Sequence, residues 1–288
     1  MTQSVSLAHL TAIDLPPPRL IEAAARAGFD AVGLRLIRVT ETTPGYPLMR
    51  DRAMMAETRA ALRDTGLRVS DIEFVKIEPD TDVEVLLPFL DAGTELGARE
   101  VICAPYDPDL ARLADTLGQL SNEAQARGLG VSLEFFPWTV VPDLASALAL
   151  VQRAGPEVGV LVDTLHFDRS ASTIAQLHDL PTARLRMAHL CDAEVLPDYS
   201  TERLLHTARA ERLPPGAGQI DLLPILTALP AQIPMGIEVP MAERTRSLGI
   251  ERVLGEVMAA TRRVLTLAAE RRVAQTVGEH TARDVKGR

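Results

Sequence analysis

Residues 131–192 read VSLEFFPWTVVPDLASALALVQRAGPEVGVLVDTLHFDRSASTIAQLHDLPTARLRMAHLCD. Three apolar runs stand in it, 131–135, 158–163 and 185–190, each of strand length and too short for an ordinary helix. A helical pattern at 144–151 separates the first two, and a shorter one near 174–177 leads to the third. Strands that alternate with helices pair in parallel through right-handed crossovers.

The same rhythm continues outward in both directions. Apolar runs at 5–9, 31–35, 69–73, 100–104 and 235–239 bring the expected strands to eight. Asp14 and three prolines open a helix bearing Leu20, Ile21, Ala24 and Ala27, which stops at Gly28. Met54, Thr58, Ala61 and Leu62 mark a second helix ending near Gly66, and 83–96 a third. Leu110, Leu113, Leu117, Leu120 and Ala124 form one face of a helix closing at Gly128. Asp221 is placed to cap a helix through Leu229, and the last helix begins near Ile250 with Val253, Val257, Val264 and Leu265 on its face. Eight is the number that closes an α/β barrel, so the expected fold is a single (β/α)8 TIM barrel of parallel strands over 1–277. A polar, aperiodic tail is expected at 278–288, and the stretch 192–218 reads as a long irregular loop. A doubly wound open sheet is the alternative, but no GxGxxG or P-loop glycine pattern follows the first strand.

Composition bounds the function. With 288 residues and 47% of them hydrophobic, the chain can bury a large core without a disulfide or a structural metal. Its two cysteines, Cys103 and Cys191, have no CxxC spacing and lie in apolar runs, which suits packing residues in a reducing compartment. The net charge of −9 disfavours nucleic acid, whose binding needs clustered Lys and Arg. No run of about 18 apolar residues is present to span a membrane, and the first ten residues lack the pattern of a secretory signal. A cytoplasmic protein acting on a small molecule is the expectation, with homo-oligomerisation left open.

Barrel enzymes place their chemistry at the C-terminal ends of the strands. Four consecutive runs end in residues able to bind a metal: Glu134 in VSLEFF, Asp163 in VLVDTLH, His189 in RMAHLCD and Glu238 in GIEVP. Taken singly, each has an ordinary reading: a salt-bridged rim glutamate, a turn-capping aspartate, a hydrogen-bonded core histidine. Jointly they form a hard, oxygen-rich set on strand ends about 5 Å apart. Such a set suits one divalent ion with open positions, Mn2+ first, then Mg2+, Co2+ or Zn2+.

The motifs GFDAVGLRL, LVDTLHF, AHLCDA, LPPGAGQIDL and GIEVP, spread over about residues 5 to 265, resemble the xylose isomerase-like superfamily of sugar-phosphate isomerases and epimerases. The resemblance implies that Glu134, Asp163, His189 and Glu238 are metal ligands. It implies further that Glu134 and Glu238 face each other across the substrate, and that His166 touches a substrate oxygen. Where many epimerases of this group have an arginine, six residues after the strand-seven histidine, this chain has Val195. Arg209 and Arg212 in the following loop are the expected replacements, Arg209 first; ion pairs of both with Glu202 or Glu211 are the alternative.

His9, Arg35 and Glu73, at the ends of the first three runs, are expected to line the same mouth and contact substrate, with a rim ion pair between Arg35 and Glu73 as the alternative. Trp138 supplies an apolar wall for a ring or packs beneath a loop. The expected reaction is isomerisation or epimerisation of a sugar- or polyol-derived α-hydroxy ketone, with Glu134 and Glu238 exchanging protons through a metal-bound enediolate. The rival is a dehydratase or lyase of the inosose or 3-dehydroshikimate type, which shares the first step. A non-catalytic sugar-binding barrel is the third reading.

Overall fold

In the computed structural model, which describes residues 3–41 and 43–286 and side chains through residue 275, eight parallel strands pair in chain order and the eighth closes on the first. They are β1 (Val5–Leu7), β2 (Ala31–Arg35), β3 (Arg68–Ile77), β4 (Glu100–Pro105), β5 (Gly130–Glu134), β6 (Val158–Asp163), β7 (Leu185–Leu190) and β8 (Met235–Ile237). The helices between and after them are α1 (Pro17–Ala27), α2 (Arg52–Thr65), α3 (Leu87–Glu95), α4 (Leu110–Gln125), α5 (Leu144–Ala154) and α6 (Thr164–Asp168). There follow α7 (Ile174–Asp179), α8 (Thr201–Ala210), α9 (Leu222–Ala228), α10 (Ala242–Leu248) and α11 (Ile250–Lys286). The expected barrel is therefore the observed one.

Local chemistry explains where the helices start and stop. Proline fills the first turn of α1, where no amide partner is needed, and Gly28 ends it at φ +86, a left-handed conformation that costs glycine little. The Asp51 carboxylate accepts from the Met54 amide to cap α2, and Asp143 and Ser146 form a reciprocal capping box on α5. Each carboxylate satisfies an amide that the first helical turn leaves orphaned.

The strands bury both faces. Val101, Cys103, Val131, Leu133, Val160 and Val162 point outward and form one core with the helix faces. Their sequence neighbours Ile102, Ala104 and Leu161, with Met187 of β7, point inward and join Phe74 and Phe136 in a smaller cluster inside the barrel. Lower in the barrel, the Arg186 guanidinium lies 2.7 Å from Glu100, and Ser132 donates to the same carboxylate at 3.0 Å. This pairing fills the N-terminal end of the barrel.

Several expectations need correction. β1 stops at Leu7, and His9 begins a 3-10 turn, His9–Ala12. β3 runs on to Ile77, so Glu73 sits within the strand rather than at its end. The stretch 192–218 is not irregular throughout, because Ser200 caps α8 within it. Asp221 holds the N-cap position of α9 but makes no side-chain capping bond. The short helices α6 and α10 were not expected at all. The stretch 278–288, expected as a tail, lies outside the residues whose side chains are described. Among the described residues, no helix is long and apolar enough to cross a membrane.

Candidate metal centre

The ends of four neighbouring strands bring the expected set together. Glu134 closes β5 and Asp163 closes β6; His189 is the penultimate residue of β7, and Glu238 follows β8 directly. Strand pairing places Asp163 beside His189 and His189 beside Gly236. All four side chains are buried. One ligand atom from each lies within 4.8 Å of all the others. His189 Nδ1 is 3.9 Å from Glu134 Oε1, 4.0 Å from Asp163 Oδ2 and 3.7 Å from Glu238 Oε2.

These separations are too long for hydrogen bonds, and Glu134 Oε1 and His189 Nδ1 are buried without any partner. Two donors that share one ion at roughly 2.1 Å lie at most about 4.2 Å apart. The cluster is thus of the right size, slightly expanded, for a single cation. A buried carboxylate–imidazole set with orphaned donors is chemically incomplete without positive charge. It suggests one divalent metal ion.

Asp163 is oriented by its own helix. Its Oδ1 accepts from the Leu165 amide at 2.7 Å as the cap of α6, which turns Oδ2 toward the other three residues. Arg212 supplies charge at the same place. Its Nη1 donates to Asp163 Oδ2 at 2.6 Å and its Nη2 lies 2.7 Å from Glu238 Oε2. The guanidinium is buried, and its Nε donates to the Ala208 carbonyl at 3.0 Å. Of the two loop arginines, Arg212 enters the cluster, and exposed Arg209 lines the cavity outside it. Glu211 pairs instead with Arg203 at 2.7 Å.

The two glutamates feel opposite fields. Burial, then the charge of Glu238, raises the proton affinity of Glu134 well above the ordinary carboxylate range. Burial acts on Glu238 in the same direction, but Arg212 and His189 outweigh it and hold that carboxyl well below its ordinary range. Burial lowers the His166 pKa to about 4, so this imidazole is neutral. His166 Nε2 is 3.7 Å from Glu134 Oε1, and its Nδ1 is buried and unpartnered. Asp71 lies two residues nearer the N-terminal end of β3 than Glu73; burial and the Glu73 charge push it up to about 7.

A cavity above the cluster is bounded by Arg35, Phe74, Glu134, His166, Arg209, Arg212 and Glu238, among others. One side is aromatic. Phe136 stacks on Trp138 with centroids 5.0 Å apart, and Trp138 Nε1 donates to the Tyr106 hydroxyl at 3.1 Å. Trp138 both lines the cavity and packs against the core, and Phe74, Tyr106 and Phe136 line it too, which the sequence did not single out. Their apolar character is ordinary for strand ends, and only the inward register makes them lining residues.

Arg35 and Glu73 are both buried and pair at 3.3 Å, leaving Arg35 Nε and Glu73 Oε1 without partners. His9 does not line the cavity. Its Nε2 donates to the Leu15 carbonyl at 2.9 Å and its Nδ1 accepts from the Arg35 amide at 2.8 Å. Both ring nitrogens are committed to backbone, and burial lowers the pKa to about 3. His9 is a brace between the turn after β1 and the end of β2, which corrects its expected role as a substrate contact. Cys103 and Cys191 are buried free thiols, as expected of packing residues; burial pushes Cys191 up to about 12.

Comparison with known proteins agrees with this architecture. The family model described as Xylose isomerase-like TIM barrel matches residues 21–264, and the chain belongs to that family. The 3-dehydroshikimate dehydratase of Pseudomonas aeruginosa PAO1 is 28% identical over 239 residues, which are 77% of this chain and 36% of that protein. The inosose isomerase of Bacillus subtilis strain 168 is 30% identical over 119 residues, 40% of each chain. The chain thus spans well under half the length of either relative. Among solved structures, the IOLI protein with a binding zinc atom superposes with a TM-score of 0.77 at 18% identity, over 92% of this chain and 99% of that one. At that identity the likeness concerns the fold.

Proposed function

We infer that this chain is a divalent-metal-dependent isomerase or epimerase of a sugar- or polyol-derived α-hydroxy ketone. The observation that carries the reading is the buried cluster Glu134, Asp163, His189 and Glu238, in which the two glutamates stand on strands three apart in the ring.

Glu134, Asp163, His189 and Glu238 would hold the ion, with Mn2+ favoured by three hard oxygen donors. When bound, a divalent cation supplies Lewis-acid stabilisation of negative charge on a carbonyl oxygen. The chain's own groups do the rest. Ionised Glu238 accepts the proton from the carbon beside the carbonyl, leaving an enediolate. Glu134, on the other side of the reacting carbon and entering this step protonated, returns a proton to the same carbon, giving the epimer, or to the neighbouring carbon, giving the isomer. Neutral His166 hydrogen-bonds a substrate hydroxyl through its free Nδ1. The Phe136–Trp138 wall excludes water that would exchange the transferred proton.

A second reading is favoured by the 28% identity to a 3-dehydroshikimate dehydratase over most of this chain. The same enediolate, if it carries a β-hydroxyl, expels it as water and the enzyme is a dehydratase. Arg35 and Arg209 bear on this choice. With an ion in place, the carboxylates of Glu73, Glu134, Asp163 and Glu238 are outnumbered by one charge by the ion and three arginines. That balance favours an anionic substrate.

Incubation of the metal-loaded protein with ketoses, inososes and cyclic keto acids in deuterated water separates the readings. Deuterium entering the carbon next to the carbonyl without loss of water supports isomerase or epimerase chemistry. A new ultraviolet-absorbing enone identifies the dehydratase. If no member of the panel exchanges or reacts, the enzymatic reading falls.

Arg209 gives a smaller, separable effect. Among the described residues it forms no ion pair, and it borders the cavity without touching the cluster. Arg209→Ala is expected to raise KM about tenfold, the equivalent of one charge-assisted contact, with kcat nearly unchanged. Steady-state kinetics on the substrate found above is the check, and an unaltered KM would make α8 a connector only.

A further inference from the structure

His189 has a second nitrogen that the cluster does not use. Its Nδ1 faces the three carboxylates, while its Nε2 is buried and has no partner. On β3, Asp71 is equally buried; Ser70 donates to its Oδ2 at 2.5 Å, and its Oδ1 has no partner. An orphaned ring nitrogen and an orphaned carboxylate oxygen thus share the interior of one barrel. His189 Nε2 lies against Gly236 on β8 and Asp71 Oδ1 against Gly33 on β2, with only β1 between those two strands.

The strands between them have been cleared of side chains. A Cβ on Gly236 would come within 2.5 Å of His189 Cδ2 and 2.9 Å of its Nε2. A Cβ on Gly33 would come within 2.5 Å of Asp71 Oδ1. Gly236 pairs with His189 on one side and Ser6 on the other, and Gly33 pairs with Asp71. The Ser6 hydroxyl lies 3.6 Å from the position a Gly236 Cβ would take. Two glycines and a small hydroxyl therefore leave a polar floor beneath the candidate metal centre, from β7 round to β3. Any residue larger than glycine at 33 or 236 would close it.

We propose that Asp71 is the positioning residue for His189: its Oδ1 accepts the Nε2–H of the imidazole across one water beside Ser6, and so presents Nδ1 to the metal ion. A histidine whose second nitrogen donates to a carboxylate is fixed in tautomer and ring orientation and is a more basic ligand. Asp71 does not touch substrate in this arrangement. The inference rests on the metal-site reading, and its test is chosen so that each can fail alone.

The test combines zinc affinity, measured by competition with a chromophoric chelator, with melting of the metal-free protein and imidazole 15N NMR. Asp71→Asn keeps the shape and is expected to weaken zinc binding about tenfold; Asp71→Leu is expected to weaken it further, toward a hundredfold. The metal-free melting temperature should hold in Asp71→Asn, whose amide oxygen can still accept a hydrogen bond while the buried charge is gone. A purely structural aspartate would lower stability and affinity together. In the metal-free wild type, the His189 Nε2 proton should resonate downfield and exchange slowly with solvent, and Asp71→Leu should abolish both features. Zinc binding within twofold of wild type in both variants, with an unchanged Nε2 signal, overturns the role of Asp71 and leaves the metal centre standing. A wild type that binds no zinc while its Nε2 signal still depends on Asp71 overturns the metal centre and keeps the hydrogen bond.

Discussion

Glu238→Gln is expected to lower turnover by about 10^2- to 10^4-fold, the usual contribution of a positioned general base. Glutamine has the same shape and keeps one carbonyl oxygen for an ion, so metal affinity should fall far less than kcat does. What it removes is the ionised carboxylate that Arg212 and His189 hold in place against burial. KM should change little, because the lost interaction belongs to the transition state. Asp163→Ala behaves in the opposite way. It deletes the oxygen at the centre of the cluster, the partner of Arg212 at 2.6 Å, and metal uptake should be lost with the barrel still folded. Calorimetric metal titration and steady-state kinetics on the same preparations separate the two. Wild-type turnover in Glu238→Gln would remove that residue from the proton-transfer couple.

The contrast between what the sequence foretells and what it hides follows from the range of the interactions. Strand and helix positions are local properties. An apolar run such as 158–163 or a glycine such as Gly28 past the end of α1 announces its element without reference to the rest of the chain. The four candidate ligands are readable for the same reason, since a charged residue at the end of an apolar strand is conspicuous and the ring brings consecutive strand ends together. Choosing between Arg209 and Arg212 is a different problem. They stand three residues apart at the end of α8, and the direction of each is set by distant pairings. Leu213 bridges to Asp192, Glu211 bridges to Met241, and the Arg212 amide donates to the Pro240 carbonyl at 3.0 Å. No local pattern carries those contacts. His9 was misplaced by a two-residue overrun of β1, which turned a brace between backbone segments into an apparent rim residue. Helices α6 and α10 are too short for periodicity to register, and α8 exposes a charged face that reads as loop.

Arg212→Leu should produce the largest change in stability, and its size depends on metal. The guanidinium is the only positive group within 3 Å of both Asp163 Oδ2 and Glu238 Oε2 among the described residues. Leucine fills much of the volume but leaves two buried carboxylates facing Glu134 with no arginine to balance them. Breaking a buried pair from one side costs about 3–5 kcal/mol, because the charge left behind has lost its compensation. For a chain of this size, that corresponds to a fall of roughly 10 °C in the melting temperature of the metal-free protein. A divalent cation would approach the same two oxygens that Arg212 now holds. Removing the arginine therefore removes a competitor and a repulsive charge at once, so zinc or manganese should bind Arg212→Leu more tightly than wild type. Saturating metal should in turn recover most of the lost stability through linkage. Arg212→Lys, which keeps the charge but cannot span both carboxylates with a planar fork, should fall between the two. Melting curves with chelator and with excess ion provide the measurement. Equal melting of Arg212→Leu and wild type in chelator would mean that Arg212 is not the counter-charge of the cluster.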